Sequence, residues 1–233
     1  MIPLGDSIRA RRTPFVTYLL IGLNVFFFLI ELAQGRELQL FLLRWGAVPA
    51  RLQAWPDHPG ILVTLVTSMF LHGGWLHLIS NMVYLWIFGD NVEDRLGHMR
   101  YLVFYMLSGI IAGLVQVWAS PGSQIPGVGA SGAIAGVLGA YLVFFPAARV
   151  LVGIPLFLWL EVFAMPAVFV LGFWFITQFF NGMFALAFTR TVYAGGVAWW
   201  AHIGGFVAGM ILGPLLRAGQ REPRWPRYTY YYR

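Results

Sequence analysis

Residues 129–136 read Gly-Ala-Ser-Gly-Ala-Ile-Ala-Gly, and they open an apolar run that continues to Phe145. The stretch is rich in small residues, and its glycines recur every third or fourth position, a spacing that lets helix backbones approach closely inside a membrane. The segment therefore predicts a helix that packs tightly against a neighbouring helix. Taken alone, it favours packing over chemistry, although Ser131 stands near its start.

The composition of the whole chain agrees with a membrane protein. Hydrophobic residues make up 59% of the 233 positions and charged residues 10%, whereas a typical soluble domain is about 25% charged. Mean hydropathy is +0.73. So few charges cannot cover a soluble surface. The chain has no Cys, which excludes disulfides, thiol nucleophiles and thiolate metal sites.

The basic residues are all Arg, 15 against nine acidic residues, which gives a net charge of +6. They cluster at the two ends and beside apolar runs, as is typical of anchoring at an anionic membrane surface. This placement argues against a nucleic-acid partner. A chain rich in Arg, Gly and Ala also suits a GC-rich bacterial genome, so the expected location is a bacterial cytoplasmic membrane.

Apolar runs predict six membrane-spanning helices, since a helix needs about 20 apolar residues to cross a bilayer. The first run is too long for the core of a signal peptide. Between the first two runs lies a long loop that includes a short apolar, re-entrant piece at residues 61–71. Residues 150–165 predict an interfacial connector. The six predicted spans cover about residues 15–32, 75–93, 101–119, 130–146, 167–188 and 199–216.

The distribution of Arg orients these spans. The termini and even-numbered loops carry 11 Arg residues and the odd-numbered loops carry four. Because basic loops stay in the cytoplasm, both termini are predicted to be cytoplasmic. The chain then consists of a cytoplasmic N-terminal segment (1–13), a six-helix domain (14–217) and a cytoplasmic tail rich in Arg and Tyr (218–233).

Polar residues open spans 2, 4 and 6, and this topology places all of them at one depth near the outer side. Span 2 opens with His72, His77 and Asn81, span 4 with Ser131, and span 6 with His202. Placing a polar side chain inside a membrane costs free energy, so such residues indicate a function. A serine at a helix start, a histidine on a neighbouring helix and further hydrogen-bond donors are the parts of a serine acyl-transfer site.

Each of these groups also has a structural interpretation. His77 and Asn81, four residues apart, are equally typical of hydrogen bonds between helices. The two interpretations are compatible, because close packing of spans 4 and 6 would bring the His202 ring to the Ser131 hydroxyl. No acidic residue is expected at the depth of Ser131, so the sequence predicts a Ser–His dyad. The glycines expected to allow the close packing are Gly132, Gly136, Gly205 and Gly209.

Over nearly its whole length the chain resembles the rhomboid family of intramembrane serine proteases. The acid-x-Arg pair that follows the family's second span is matched by residues 93–95. The Trp/Arg feature of its first loop corresponds to residues 44–45, in reversed order. The three principal motifs, GxSG, AHxxG and HxxxxHxxxN, are matched by residues 129–132, by residues 201–205, and by His72, His77 and Asn81.

The resemblance implies an all-α fold, a membrane bundle of six transmembrane helices. It also implies an enzyme that cleaves peptide bonds in or near the transmembrane segments of its substrates, with a lateral substrate gate at span 5. Ser131 is then the nucleophile and His202 the base. Some relatives carry an aromatic residue four positions after the serine that packs on the histidine, and this position is Ala135 here. No cofactor or metal is implied. The implied oxyanion and supporting group comprises His77, Asn81, Gly129 and the Ser131 N–H, with His72 in a structural or substrate-loop role.

Other classes of protein fit the sequence less well. A metalloprotease needs a motif such as HExxH, and an aspartyl protease needs two Asp residues inside spans. Asp90 and Asp94 share one cytoplasmic turn, which is interpreted as solvated. A transporter would need paired charges at mid-membrane. The main alternative is a catalytically silent rhomboid-like protein that binds and escorts transmembrane helices. The expected partners are transmembrane protein substrates and membrane lipid, and the oligomeric state is left open.

Overall fold

The computed structural model describes residues 2–156, 159–188 and 198–219. Most of the loop after span 5 and all but two residues of the predicted tail lie outside these ranges. The described strands are β1 (Ile2–Asp6), β2 (Arg149–Leu156) and β3 (Trp159–Pro166). The described α-helices are α1 (Phe15–Ala33), α2 (Leu38–Trp45), α3 (Pro49–Leu52), α4 (Thr64–Thr67), α5 (Trp75–Leu96), α6 (His98–Ala119), α7 (Ser131–Phe144), α8 (Ala167–Phe188) and α9 (Trp199–Arg217).

Helices α1, α6, α8 and α9 are long and apolar enough to cross a membrane. The segment Pro59–Phe70 and helix α5 are long and apolar enough only when taken together, and the chain bends by 83° at the break between them. The segment Pro59–Phe70 lies where the sequence predicts a re-entrant piece, and the break follows it at residues 71–74. Helix α7 is apolar but has only 14 residues. The predicted helical membrane bundle is confirmed, the chain is a multi-pass integral membrane protein, and the count of six spans stays a prediction.

Glycines set the ends of α5. The helix follows Gly74, whose φ is 150°, and stops before Gly97, whose φ is 80°. Residues with a side chain rarely adopt such positive φ values, so these glycines let the chain turn sharply. The turn at Gly97 leads directly into α6, which packs beside α5.

Helix α7 occupies the centre of the bundle. Ten consecutive residues, 132–141, are buried, and the helix packs most extensively on α9, followed by α6 and α5. A helix that is apolar all round is typical of a position surrounded by other helices. By contrast, α8 leaves Phe169, Phe173 and Phe180 exposed on its outer side, as expected of a helix that faces lipid.

A three-stranded antiparallel sheet closes the end of the bundle opposite Ser131. The strand order is β1-β2-β3, and β1 draws part of the N-terminal segment into the sheet. The connector predicted at residues 150–165 is a β-hairpin, a form that the sequence did not indicate. Its burial alternates as in a strand, because Val150 and Val152 are fully buried and Arg149 is exposed, but residues 150–156 are all apolar or glycine. The register pairs Ile2 with Gly153 and Arg149 with Pro166.

The acidic turn at the end of α5 is not solvated, contrary to the prediction. Glu93 is only 1% exposed. Its carboxylate accepts hydrogen bonds from the amides of Val16 and Thr17, at 2.9 and 2.7 Å, and from the Thr17 hydroxyl at 2.7 Å. Nδ1 of His98 lies 2.5 Å from the same carboxylate. The residue before α1, Pro14, offers no side-chain cap, so Glu93 binds the free amides at the start of α1 instead.

Candidate active site

Ser131 and His202 are brought together by helices α7 and α9. Ser131 is the first residue of α7, and His202 lies in the first turn of α9. The Ser131 Oγ is 2.8 Å from Nε2 of His202, a hydrogen-bond distance. Both residues are half-buried. The pair therefore has the geometry of a nucleophile beside its general base.

The approach of these two side chains depends on glycines along the α7–α9 contact. A Cβ on Gly205 would overlap the carbonyl oxygen of Gly132, and one on Gly209 would overlap that of Gly136. The two helices thus meet backbone against backbone. Added side-chain bulk here would push α9 away from α7, and His202 would move with it.

Gln178 on α8 holds the other nitrogen of His202. Its Oε1 lies 2.8 Å from Nδ1 of the imidazole, and the side chain is 7% exposed. The Trp174 ring, also on α8, lies 5.8 Å from the imidazole between centroids. Helix α8 therefore supplies the contacts that Ala135 cannot. Gln178 is not among the residues predicted from the sequence, where the available signal was two amides, Gln178 and Asn181, in a mostly apolar span.

Gly129 allows His77 to lie against the loop that leads into α7. The φ of Gly129 is 128°, and its amide donates to the carbonyl of Ser68 at 2.9 Å. A Cβ at this position would be 2.8 Å from Cε1 and Nε2 of the His77 ring. Only glycine therefore fits both the backbone conformation and the space beside the imidazole.

Asn81 and His72 lie on the same side of the site as His77, and both have buried polar atoms without a described hydrogen-bond partner. Asn81 is 6% exposed, and its Nδ2 has no hydrogen-bond partner among the described residues. Both ring nitrogens of buried His72 are likewise unpaired there. The His72 and His77 rings are 5.1 Å apart between centroids. A buried donor without an acceptor is costly, and it marks a place where a ligand atom could be received.

Glu31 corrects the prediction that no acid lies at this depth. Its buried carboxylate accepts the amide of His72 at 3.0 and 3.1 Å. The carboxylate does not extend the Ser131–His202 pair, because the described hydrogen-bond partners of the His202 ring are Ser131 and Gln178. Within the described ranges, no group of three or more His, Asp or Glu side chains could hold a metal ion.

Comparison with known proteins identifies the family. The Rhomboid domain family model matches residues 59–219. Rhomboid protein 1, mitochondrial, of Saccharomyces cerevisiae is 31% identical over 204 residues, which cover 85% of this chain and 52% of the yeast protein. Rhomboid protease GluP of Bacillus subtilis is 38% identical over 130 residues, 55% of this chain and 24% of that protein.

A third relative, Rhomboid-like protease 3 of Toxoplasma gondii, is 30% identical over 169 residues, or 72% of this chain and 57% of its own. The chain thus spans about half the length, or less, of the yeast and Bacillus relatives. The family match covers more than half of the chain and includes every residue of the site except Glu31. These matches confirm the resemblance seen in the sequence motifs, and the chain belongs to the rhomboid family.

Proposed function

We propose that this chain is an intramembrane serine endopeptidase that hydrolyses peptide bonds in or near the transmembrane segments of membrane proteins. The observation that carries the proposal is the 2.8 Å separation between the Ser131 Oγ and the His202 Nε2. Two of the relatives described above, from Bacillus subtilis and Toxoplasma gondii, are named as proteases. The proposed chemistry uses no metal and no cofactor.

In the proposed reaction, the Ser131 Oγ attacks the carbonyl carbon of the scissile bond while Nε2 of His202 takes the hydroxyl proton. The C–N bond then breaks, and His202 gives this proton to the leaving amine. Water next attacks the acyl ester with His202 again as base. This step releases the second fragment as a carboxylic acid and restores the Ser131 hydroxyl.

The developing oxyanion is proposed to bind Asn81, His77 and the Ser131 N–H. Support for Asn81 comes from its unpaired, buried Nδ2. Support for Ser131 comes from its place at the start of α7, where backbone amides lack intrahelical acceptors and the helix dipole favours negative charge. His72 is proposed to support the His77 ring beside it.

A substrate helix is proposed to approach between α5 and α8. A cavity of about 140 Å³ lies between these helices and the β-sheet, and its lining includes Phe88 and Trp174 from the helices and Pro3 and Val152 from the sheet. Trp174 also contacts the His202 ring. Trp174 therefore connects the cavity to the proposed base, and the mostly apolar lining suits a segment that arrives from lipid.

The proposed membrane orientation has both termini in the cytoplasm and the Ser131 end of the bundle towards the outside. Its support is the excess of Arg in the termini and even-numbered loops. The proposed location is the bacterial cytoplasmic membrane. The protease domain is proposed to cover residues 14–217, flanked by cytoplasmic segments 1–13 and 218–233.

The proposal is tested with the purified full chain in detergent, a generic single-span substrate, and sequencing of the fragments. We expect cleavage, together with labelling by a fluorophosphonate, and we expect both to be lost in Ser131→Ala. His202→Ala should also lose cleavage. Ser108→Ala is a matched control, because Ser108 packs on α7 through Gly136 and its hydroxyl has no described partner. Cleavage of the same bond by Ser131→Ala would overturn the mechanism in favour of a helix-binding role.

A further inference from the structure

The amide of Gln178 has a defined orientation. The Thr177 hydroxyl lies 2.6 Å from the carbonyl oxygen of Trp174 and donates its hydrogen there. The Thr177 oxygen can then only accept from Gln178, whose Nε2 is 3.4 Å away. The nitrogen end of the amide therefore faces Thr177, and the oxygen end faces His202.

This orientation determines which nitrogen of His202 carries the hydrogen. An amide oxygen accepts hydrogen bonds and cannot donate them. The contact of 2.8 Å between Gln178 Oε1 and Nδ1 therefore requires a hydrogen on Nδ1. In the neutral ring, Nε2 is then unprotonated, and its lone pair points at the Ser131 hydroxyl 2.8 Å away. This is the tautomer that can take the serine proton.

We infer that Gln178 is a positioning residue that fixes the Nδ1–H tautomer of His202 and so gives the Ser131–His202 pair a neutral third partner. The catalytic meaning of this inference rests on the proposed function. Gln178 thereby adds an orienting group to the dyad that the sequence predicts.

A neutral third member suits this position better than a carboxylate. Gln178 is nearly fully buried in a membrane helix, where an ionised side chain is costly. An amide oxygen orients the imidazole without placing a charge there, as the Asn does in the Cys-His-Asn arrangement of papain-like proteases. Because Gln178 is nearly fully buried, water does not compete with it for the hydrogen on Nδ1.

The first test measures kinetics of the purified full chain. Gln178→Leu keeps the size of the side chain but removes the acceptor, and it should lower kcat with KM little changed. The expected loss is roughly ten- to a hundred-fold, by analogy with the partners that orient metal-bound histidines. Gln178→Glu keeps an acceptor oxygen in either protonation state and should restore most of kcat. If the Leu variant does not fold, Gln178→Met replaces it.

The second test reads the tautomer directly and needs no substrate. The chain has five His residues, so the signals of His202 in a ¹⁵N-histidine spectrum are assigned by their loss in His202→Ala. We expect a protonated Nδ1 and an unprotonated Nε2 in the parent protein, and a mixture of tautomers in Gln178→Leu. An unchanged tautomer in Gln178→Leu, or an unchanged kcat, would overturn the inference.

Gln116→Leu is the matched control. Gln116 accepts the amide of Ala201 at 3.2 Å, so this variant also removes a glutamine contact to α9, but one that does not touch the imidazole. It should keep the tautomer and the kcat of the parent. If the tautomer responds to Gln178 while no form of the protein cleaves any substrate, the proposed function fails and the assignment of the tautomer stands.

Discussion

A Cβ placed on Gly209 would overlap the carbonyl oxygen of Gly136, because α7 and α9 meet there with no side chain between them. The same relationship holds one turn earlier, between Gly205 and Gly132. The packing of these backbones sets the distance between the two helices. It therefore also sets the position of His202 relative to Ser131, and the fold and the site depend on the same contact.

Gly209→Ala should destabilise the protein by about 1–3 kcal/mol, the usual effect of excess bulk in a packed interior. The added methyl group has only backbone to displace, so the helices must separate. The measurement is the thermal unfolding midpoint in detergent. Gly22→Ala is the control, since a Cβ on Gly22 of α1 meets nothing within 4 Å. Equal midpoints for the two variants would contradict this account of the interface.

Asn81→Ala should lower kcat about a hundred- to a thousand-fold, the effect of losing one oxyanion donor in well-studied hydrolases. Its stability should stay the same or rise, because the variant removes a buried donor that has no described partner. His77→Ala should lower kcat similarly. Cleavage assays are therefore paired with unfolding midpoints. Parental kcat values in both variants would remove these residues from the proposed oxyanion site.

The long helices and the proximity of Ser131 and His202 could be predicted, because both follow from local properties of the chain. Apolar length locates the six long helices, although not the short helices α2 and α3 in the predicted loop, and Ser131 and His202 lie at helix starts that share one end of the bundle. The contacts of Gln178 and Glu93 could not be predicted in this way. They depend on how α8 and α5 are rotated about their axes. Hydropathy does not determine the rotation of α8, which is apolar over most of its surface, and it does not show which acid at the end of α5, Asp90, Glu93 or Asp94, is buried.

The β-hairpin was missed for a different reason. Its residues are apolar and follow a span, so they fit an interfacial segment as well as a strand. The alternate burial of Val150 and Val152 is the pattern of a strand. However, the partner that stabilises the sheet, β1, is about 145 residues away in the chain, and sequence periodicity does not identify such distant pairs.

Glu93→Ala should destabilise the protein by about 1.5–3 kcal/mol, the range for losing a hydrogen bond to a charged group. The change leaves the buried amides of Val16 and Thr17 without their acceptor. Unfolding midpoints provide the measurement. Asp94→Ala is the neighbouring control, because the hydrogen bond that Asp94 accepts from the amide of Arg11, at 3.2 Å, is exposed. A midpoint no lower for Glu93→Ala than for Asp94→Ala would show that the cap on α1 contributes nothing.

The proposed orientation predicts the location of two labels. A reporter fused after Arg233 should lie in the cytoplasm. A tag inserted beside Pro121, which is exposed between α6 and α7 at the Ser131 end of the bundle, should be reached by an impermeant reagent from outside. An external C-terminus would reverse the orientation and place the site at the cytoplasmic side.

Asp6 connects the β-sheet to the helices at the end of the bundle that lies away from Ser131. Its carboxylate accepts from Nδ2 of Asn91 on α5, at 3.1 Å, and from the hydroxyl of Tyr141 on α7. Burial raises the pKa of Asp6 from 3.8 to about 7, although the hydrogen bonds from Tyr141 and from the Ile8 amide oppose this shift. The folded protein therefore holds a proton on Asp6 over a range in which the unfolded chain has released it.

Because the folded state binds the additional proton, the free energy of unfolding should fall as pH rises from about 4 to about 7. Asp6 makes its full contribution to the free energy of unfolding below its pKa in the unfolded chain. This contribution is lost as the pH rises through its pKa in the folded protein. Asp6→Asn keeps an acceptor but cannot titrate, so its unfolding midpoint should depend less on pH over this range. The measurement is the difference between parent and variant midpoints from pH 4.5 to 8, which cancels the titration of groups that do not interact with Asp6; Asp90, which does, contributes to this difference. Asp57→Asn, in the exposed part of the first loop, should follow the parent. Parallel pH profiles for the parent and Asp6→Asn would show that Asp6 is ionised in the folded protein.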